Sequence, residues 1–259
     1  GTFSGNITAN GNIVGDNSTD ISGINDITAS SLSVGDSIAH TDDTNTKIRF
    51  PSSDTFTIET AGSEALRVDS SQRLLIGTTS SRTVWGTHSK SQIEGTTGAT
   101  SSMHIVRNSN DVYYPYLALG KSRGTSAGGN TVIQENDITG VISFNAADGT
   151  DMTSQTAYIE SAVDDSPGSN DTPGRLSFYT TGDGSASSTE RLRITSDGKI
   201  GINDTSPAVK LHVQGPNGAV SPSSYSVLDV AIEDNAEAAL GIVGSTYSSI
   251  YFGDAGTVT

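Results

Sequence analysis

The sequence predicts an all-β protein, an elongated homotrimeric fibre of intertwined β-strands (a triple β-helix or β-prism shaft) that carries a small β-sandwich-like module. Three observations predict it: a composition rich in β-branched and turn residues but thin in apolar ones, a stem of short apolar pulses, and a hairpin that occurs twice along the chain.

Leu, Ile, Val and Phe make up about 21% of the 259 residues, close to the ~20% level below which a chain is expected to stay disordered. Ile and Val, 37 together, far outnumber the 11 Leu, and Gly, Ser, Thr, Asn and Asp fill most of the remainder. That balance favours pleated strands joined by tight turns. The formal net charge of -15 opposes affinity for nucleic acid or an anionic membrane, because phosphate recognition draws on Lys and Arg. No apolar run approaches the ~18 residues of a membrane span, and no positively charged leader precedes a short apolar stretch, so no membrane insertion is expected. With zero cysteines, disulfides and thiolate metal sites are excluded, and stability has to come from packing or oligomerisation.

Residues 1–40 form a Gly/Asn/Thr-rich stem in which Phe3, Ile7, Ile13, Val14, Ile21, Ile24, Ile27, Leu32 and Val34 are separated by Gly, Asn, Asp and Ser. The spacing suits a stack of very short strands. Such strands have no second layer to cover their apolar residues unless three chains wind round one axis.

The repeat is Glu64-Ala-Leu-Arg-Val-Asp-Ser-Ser-Gln-Arg-Leu-Leu-Ile-Gly-Thr-Thr-Ser80, which aligns without a gap on Glu190-Arg-Leu-Arg-Ile-Thr-Ser-Asp-Gly-Lys-Ile-Gly-Ile-Asn-Asp-Thr-Ser206 with seven of seventeen positions identical. Each copy reads as a hairpin with one apolar face. Leu66, Val68, Leu74 and Ile76 form that face in the first copy, and Leu192, Ile194, Ile200 and Ile202 in the second. Asp197-Gly198 predicts a type I′ turn. A lone hairpin is marginal in water, so these eight residues are assigned to a trimer core. Upstream, Phe56-Thr-Ile-Glu-Thr and Phe178-Tyr-Thr-Thr lead into the copies. Downstream, Ile93-Glu-Gly95 answers Val213-Gln-Gly215, and Gly140-Val-Ile-Ser-Phe144 loosely answers Ser249-Ile-Tyr-Phe252.

The organisation expected from this spacing is a stem (1–40), the end of a first module with its hairpin (41–82), a complete second module (83–208) and the start of a third (209–259). Ending inside a module, the chain is expected to belong to a longer polypeptide. Met103–Val106, Tyr113–Leu119, Val132–Ile133, Val141–Phe144 and Ala157–Glu160 read as the strands of the sandwich-like module. Residues 235–240 are the one short stretch with a helical reading.

The two hairpin copies resemble a repeat found in tail fibres of marine and cyanobacterial phages, and Gly5-Asn-Ile-Thr-Ala-Asn-Gly-Asn-Ile-Val-Gly15 is similar to the stems of the same proteins. The resemblance covers about a third of the chain. It implies a trimeric structural component of a virion tail, extracellular, which presents receptor-binding elements to a host surface glycan or protein during adsorption. The implied partners are two further copies of the chain and other virion tail proteins.

Other chemistry is sparse. His40, His88, His104 and His212 lie far apart without a ligand spacing, and His212 is expected at the surface, so no metal and no cofactor are expected. The acidic loops Asp148–Asp151, Asp164-Asp165 and Asn170-Asp171 match no calcium-loop spacing and read as solvated turns. A tailspike-like polysaccharide depolymerase, the alternative from another class, would need a carboxylate pair, for which Glu135 with Asp137 or Glu160 with Asp164 are the candidates. No Gly-x-Ser-x-Gly elbow occurs, and an enzyme is not expected. A cellular surface adhesin or appendage is the other alternative. Tyr113, Tyr114 and Tyr116, with Trp85, are the side chains suited to stacking on a sugar ring, although such aromatics serve more often in packing.

Overall fold

The computed structural model describes residues 31–215 and the backbone of 230–233. Of the expectations above, the pulses from Phe3 to Ile27, the stretch 235–240 and the strand at Ser249–Phe252 fall outside the described residues. Among the described residues the chain is all-β, with two mixed sheets and no helix.

The first sheet contains β1 (Ser37–His40), β2 (Asp43–Ser52), β3 (Thr55–Thr60), β4 (Ser63–Val68), β5 (Leu74–Ile76) and β6 (Ser91–Ile93). The second contains β7 (Ile138–Ala146), β8 (Ser154–Val163), β9 (Gly174–Thr181), β10 (Ser188–Ile194), β11 (Ile200–Ile202), β12 (Leu211–Gln214) and β13 (Val230–Glu233). Within each sheet, every strand pairs with the next in sequence. All pairs are antiparallel except β5–β6, β11–β12 and β12–β13, which are parallel.

The two hairpin copies share one register. Leu66 faces Ile76 and Val68 faces Leu74 in the first, while Leu192 faces Ile202 and Ile194 faces Ile200 in the second. The parallel strand that follows also matches, since Ile76 lies beside Ile93 and Ile202 beside Val213.

The hairpin turn differs from the expected type I′ form. Gly198 has φ 78°, Asp197 has no positive φ, the Gly198 N–H donates to Thr195 O at 3.0 Å and the Thr195 N–H to Lys199 O at 3.0 Å. This is a three-residue loop, a type I turn closed by a left-handed residue. The first copy has the same loop with Gln72 in the left-handed position at φ 60°, and the Gln72 N–H donates to Asp69 O at 2.8 Å. There Asp69 supports the strained residue: its Oδ1 accepts from the Ser71 and Arg73 N–H groups, and its Oδ2 from Arg73 Nε at 2.7 Å.

A β-bulge occurs at the same place in both copies. Glu64 opposes Glu59 while Leu66 opposes Ile58, so Ala65 is the extra residue; Glu190 opposes Tyr179 while Leu192 opposes Phe178, so Arg191 is. Residues three apart on a regular strand point to opposite faces, and the extra residue brings them to the same one. In consequence Arg67 forks onto Glu64 with two bonds of 2.7 Å, and Arg193 forks onto Glu190 at 2.7 and 2.8 Å.

The expected sandwich is absent. Val141–Phe144 lies in β7 and Ala157–Glu160 in β8, but Met103–Val106, Tyr113–Leu119 and Val132–Ile133 are in no strand. Among the described residues their β propensity finds no strand partner, and no second sheet is stacked on β7–β9.

Candidate functional site

The registers place apolar residues in unbroken rows. Ile38, Ile48, Ile58, Leu66, Ile76 and Ile93 stand side by side across all six strands of the first sheet. Ile142, Ile159, Phe178, Leu192, Ile202 and Val213 do so across β7–β12 of the second. A second row on the same face runs Leu176, Ile194, Ile200 and Leu211. All eight residues assigned from the sequence to a core thus lie on these two faces.

Those faces are left open. The buried apolar side chains among the described residues are Leu75, Ala162, Val163 and Val209, whereas 23 large apolar side chains are exposed, Ile142 (50%), Phe144 (52%) and Ile194 (37%) among them. Leu75 is the apolar residue the period-2 reading missed. It sits on the face opposite Leu74 and Ile76 and is completely buried.

The opposite, polar face is the covered one. Thr57 and Ser177, at equivalent places beside Arg67 and Arg193, have no exposed surface, and their hydroxyls find no partner. Tyr158 stacks on Tyr179 with ring centroids 4.1 Å apart, and the Tyr179 hydroxyl donates to Glu190 Oε2 at 2.8 Å. Burial, then the bond to Glu190, pushes the Tyr179 phenol well above its ordinary range. Burial likewise raises Glu160, against the attraction of Arg175. His212, expected at the surface, is 4% exposed and paired through Nδ1 with the Asp204 carboxylate. It belongs to the polar face because its neighbours Leu211 and Val213 take the apolar one, and that face is the enclosed one here.

The remaining candidates scatter. Glu135 and Asp164 line a polar cavity of about 460 Å³ with Arg175, Arg193 and Lys199. Asp137 is held by Arg123 through two bonds of 2.7 Å, which keep its carboxyl below the usual range. Asp148 accepts the Thr150 and Asp151 N–H groups as an ordinary loop cap. His40 and His104 are exposed, and His88 contacts Ser81 and Thr83. No group of three or more metal-ligating residues occurs among the described residues.

The tyrosines do come together. Tyr113, Tyr114 and Tyr116 line an open cavity of about 770 Å³ with Ile105, Val106 and Arg107. Arg107 is fixed there by the Asp111 carboxylate, by Tyr113 O at 2.9 Å and over the Tyr113 ring at 5.8 Å. Trp85 is not part of this group. It occupies, at φ 48°, the first central position of the tight turn Val84–Thr87, where its N–H lies 3.4 Å from Met152 O.

No protein-family model and no curated protein matches the chain. The solved structures similar to it in fold include the carboxy-terminal domain of the bacteriophage T5 L-shaped tail fibre with its intramolecular chaperone domain, at TM-score 0.43 and 13% identity over 59% of this chain, and the carboxy-terminal domain of the same fibre, at TM-score 0.42 and 12% identity over 60%. The chain spans 40% and 59% of the lengths of these structures.

Proposed function

We propose that the chain is a segment of a phage tail fibre, a homotrimeric structural component of the virion tail that spans distance and presents host-receptor-binding elements for adsorption. The observation that carries the proposal is the inversion of burial. A chain with four buried apolar side chains among its described residues has too little core to offset the loss of chain entropy, yet it arranges its Ile, Leu and Phe in rows on two open faces. Three copies closing those faces round an axis give each row its second layer. The resemblance of the hairpin repeat to tail-fibre repeats supplies the setting, and the -15 charge fits a solvated extracellular surface.

In this reading the chain works mechanically and by multivalency. Three weak host contacts held on one rigid assembly raise one another's effective concentration without any new contact. It is neither an enzyme nor a nucleic-acid or membrane-inserting protein. The test is to label virions with antibodies raised against the chain and to compete adsorption with the purified protein. Labelled fibres, and slower adsorption in competition, are expected. Unlabelled virions that adsorb at the same rate would exclude the reading.

A further inference from the structure

We infer that residues 103–116 form an arm that each copy donates to a second copy of the chain, pairing with the outer edge of its β7. The inference rests on the homotrimer reading and names the contact that interlocks the copies.

The arm is strand-like in sequence but not in structure. Between Met103 and Leu119, nine large apolar side chains are exposed by 49–92%. Neither Met103–Val106 nor Tyr114–Leu119 makes a backbone hydrogen bond to any described residue. In water such a run has neither a buried face nor a ladder to hold it. Seven of the nine belong to residues 103–116, and together they expose on the order of 600 Å² of apolar surface, approaching the area each partner contributes to a standard stable interface.

The complementary edge belongs to the same fold. Among the described residues β7 is the terminal strand of the second sheet and pairs only with β8, so over nine residues every second N–H and C=O points outward. Ile138, Ile142 and Phe144 beside that edge are half exposed. The arm does not serve its own edge. Leu119 lies over Gly140, and Leu117 and Leu119 line a cavity of about 240 Å³ with Ile142, Ile159 and Leu176 of their own sheet. There a Cβ on Gly140 would meet Leu119 Cβ at 2.9 Å. Residues 103–116 make no backbone hydrogen bond to β7 of their own chain. Pro115, lacking an N–H, suits a strand added at an edge. Three arms and three edges close a ring in which each copy gives and receives once.

The chain has no cysteine, so the pairing can be read by cross-linking. One chain carries Ser143→Cys, a second with a size tag carries Tyr114→Cys, and the two are assembled together before treatment with a short bismaleimide. The mixed assemblies should give the Ser143–Tyr114 inter-chain adduct about 100-fold faster than separately assembled trimers mixed at ~10 µM, the ratio of a millimolar effective concentration to that of free partners. Trimers by light scattering that give only the mixing-control rate would overturn the arm and leave the trimer standing, returning the tyrosines to solvent as a glycan contact. Monomers would overturn both.

Discussion

Replacing Ile142 by Asp separates a closed apolar face from an open one. Ile142 heads a six-residue row and is 50% exposed in the single chain. Complete burial of an isoleucine contributes about 1.5–3 kcal/mol, so the exposed half has ~1 kcal/mol per chain still to gain from a neighbouring copy. Aspartate forgoes that gain and places a carboxylate among apolar side chains, at about 3–5 kcal/mol for each uncompensated buried charge. Summed over three copies the cost is on the order of 10 kcal/mol, comparable with the whole stability of a domain. If the face is open to water, the same change costs only about 1 kcal/mol in lost partial burial and strand propensity. The assay is light scattering with denaturant unfolding at one protein concentration, beside Ile142→Val as the conservative control. Loss of assembly at neutral pH, with recovery on acidification as the carboxyl protonates, is expected. An Ile142→Asp protein that assembles like its parent and unfolds within about 1 kcal/mol of it would refute the closed face.

Three further outcomes follow from the geometry. Gln72→Gly should stabilise the protein by about 0.5–1 kcal/mol per chain, because glycine occupies the left-handed region without the strain Gln72 bears at φ 60°, and Gly198→Gln should destabilise by a similar amount; denaturant midpoints at unchanged slope read both. Arg193→Met leaves the Glu190 carboxylate, 10% exposed, with only Tyr179 as a partner, and should cost about 2–3 kcal/mol in thermal unfolding, against a few tenths for the exposed Lys199–Asp197 pair. Because burial raises the Glu160 pKa above its unfolded value, the folded state holds the extra proton between the two pKa values, so the Glu160 contribution favours folding on acidification and weakens folding at neutral pH. Glu160→Gln should therefore raise stability at pH 7 and remove that part of the pH dependence. An unchanged profile in a pH series of unfolding midpoints would contradict the burial of its charge.

Much of the fold was legible because a β period of two survives in the sequence. Leu192, Ile194, Ile200 and Ile202 alternate with polar residues, and the alternation alone put them on one face. What stayed hidden depends on single residues. The extra residue at Ala65 or Arg191 leaves the apolar pattern from Leu66 or Leu192 onward intact, so only the pairing shows that Glu190 has joined Arg193. The turn type was misread because Asp-Gly suits both a two-residue and a three-residue loop, and the loop length is fixed by which strand residues pair. His212 was misplaced by the assumption that a polar face meets solvent, whereas here the polar face is covered and the apolar one open. The strands read at Met103–Val106 and Tyr113–Leu119 failed because propensity reports that a residue suits a pleated surface, not which chain supplies the neighbour.

Assembly is the claim on which the rest depends, and mass in solution measures it most directly. Light scattering should give three times 26.6 kDa, with a slow band on an unheated SDS gel that collapses on boiling. A monodisperse species of 26.6 kDa would contradict the account, since its apolar rows would then face water with no second layer to meet them.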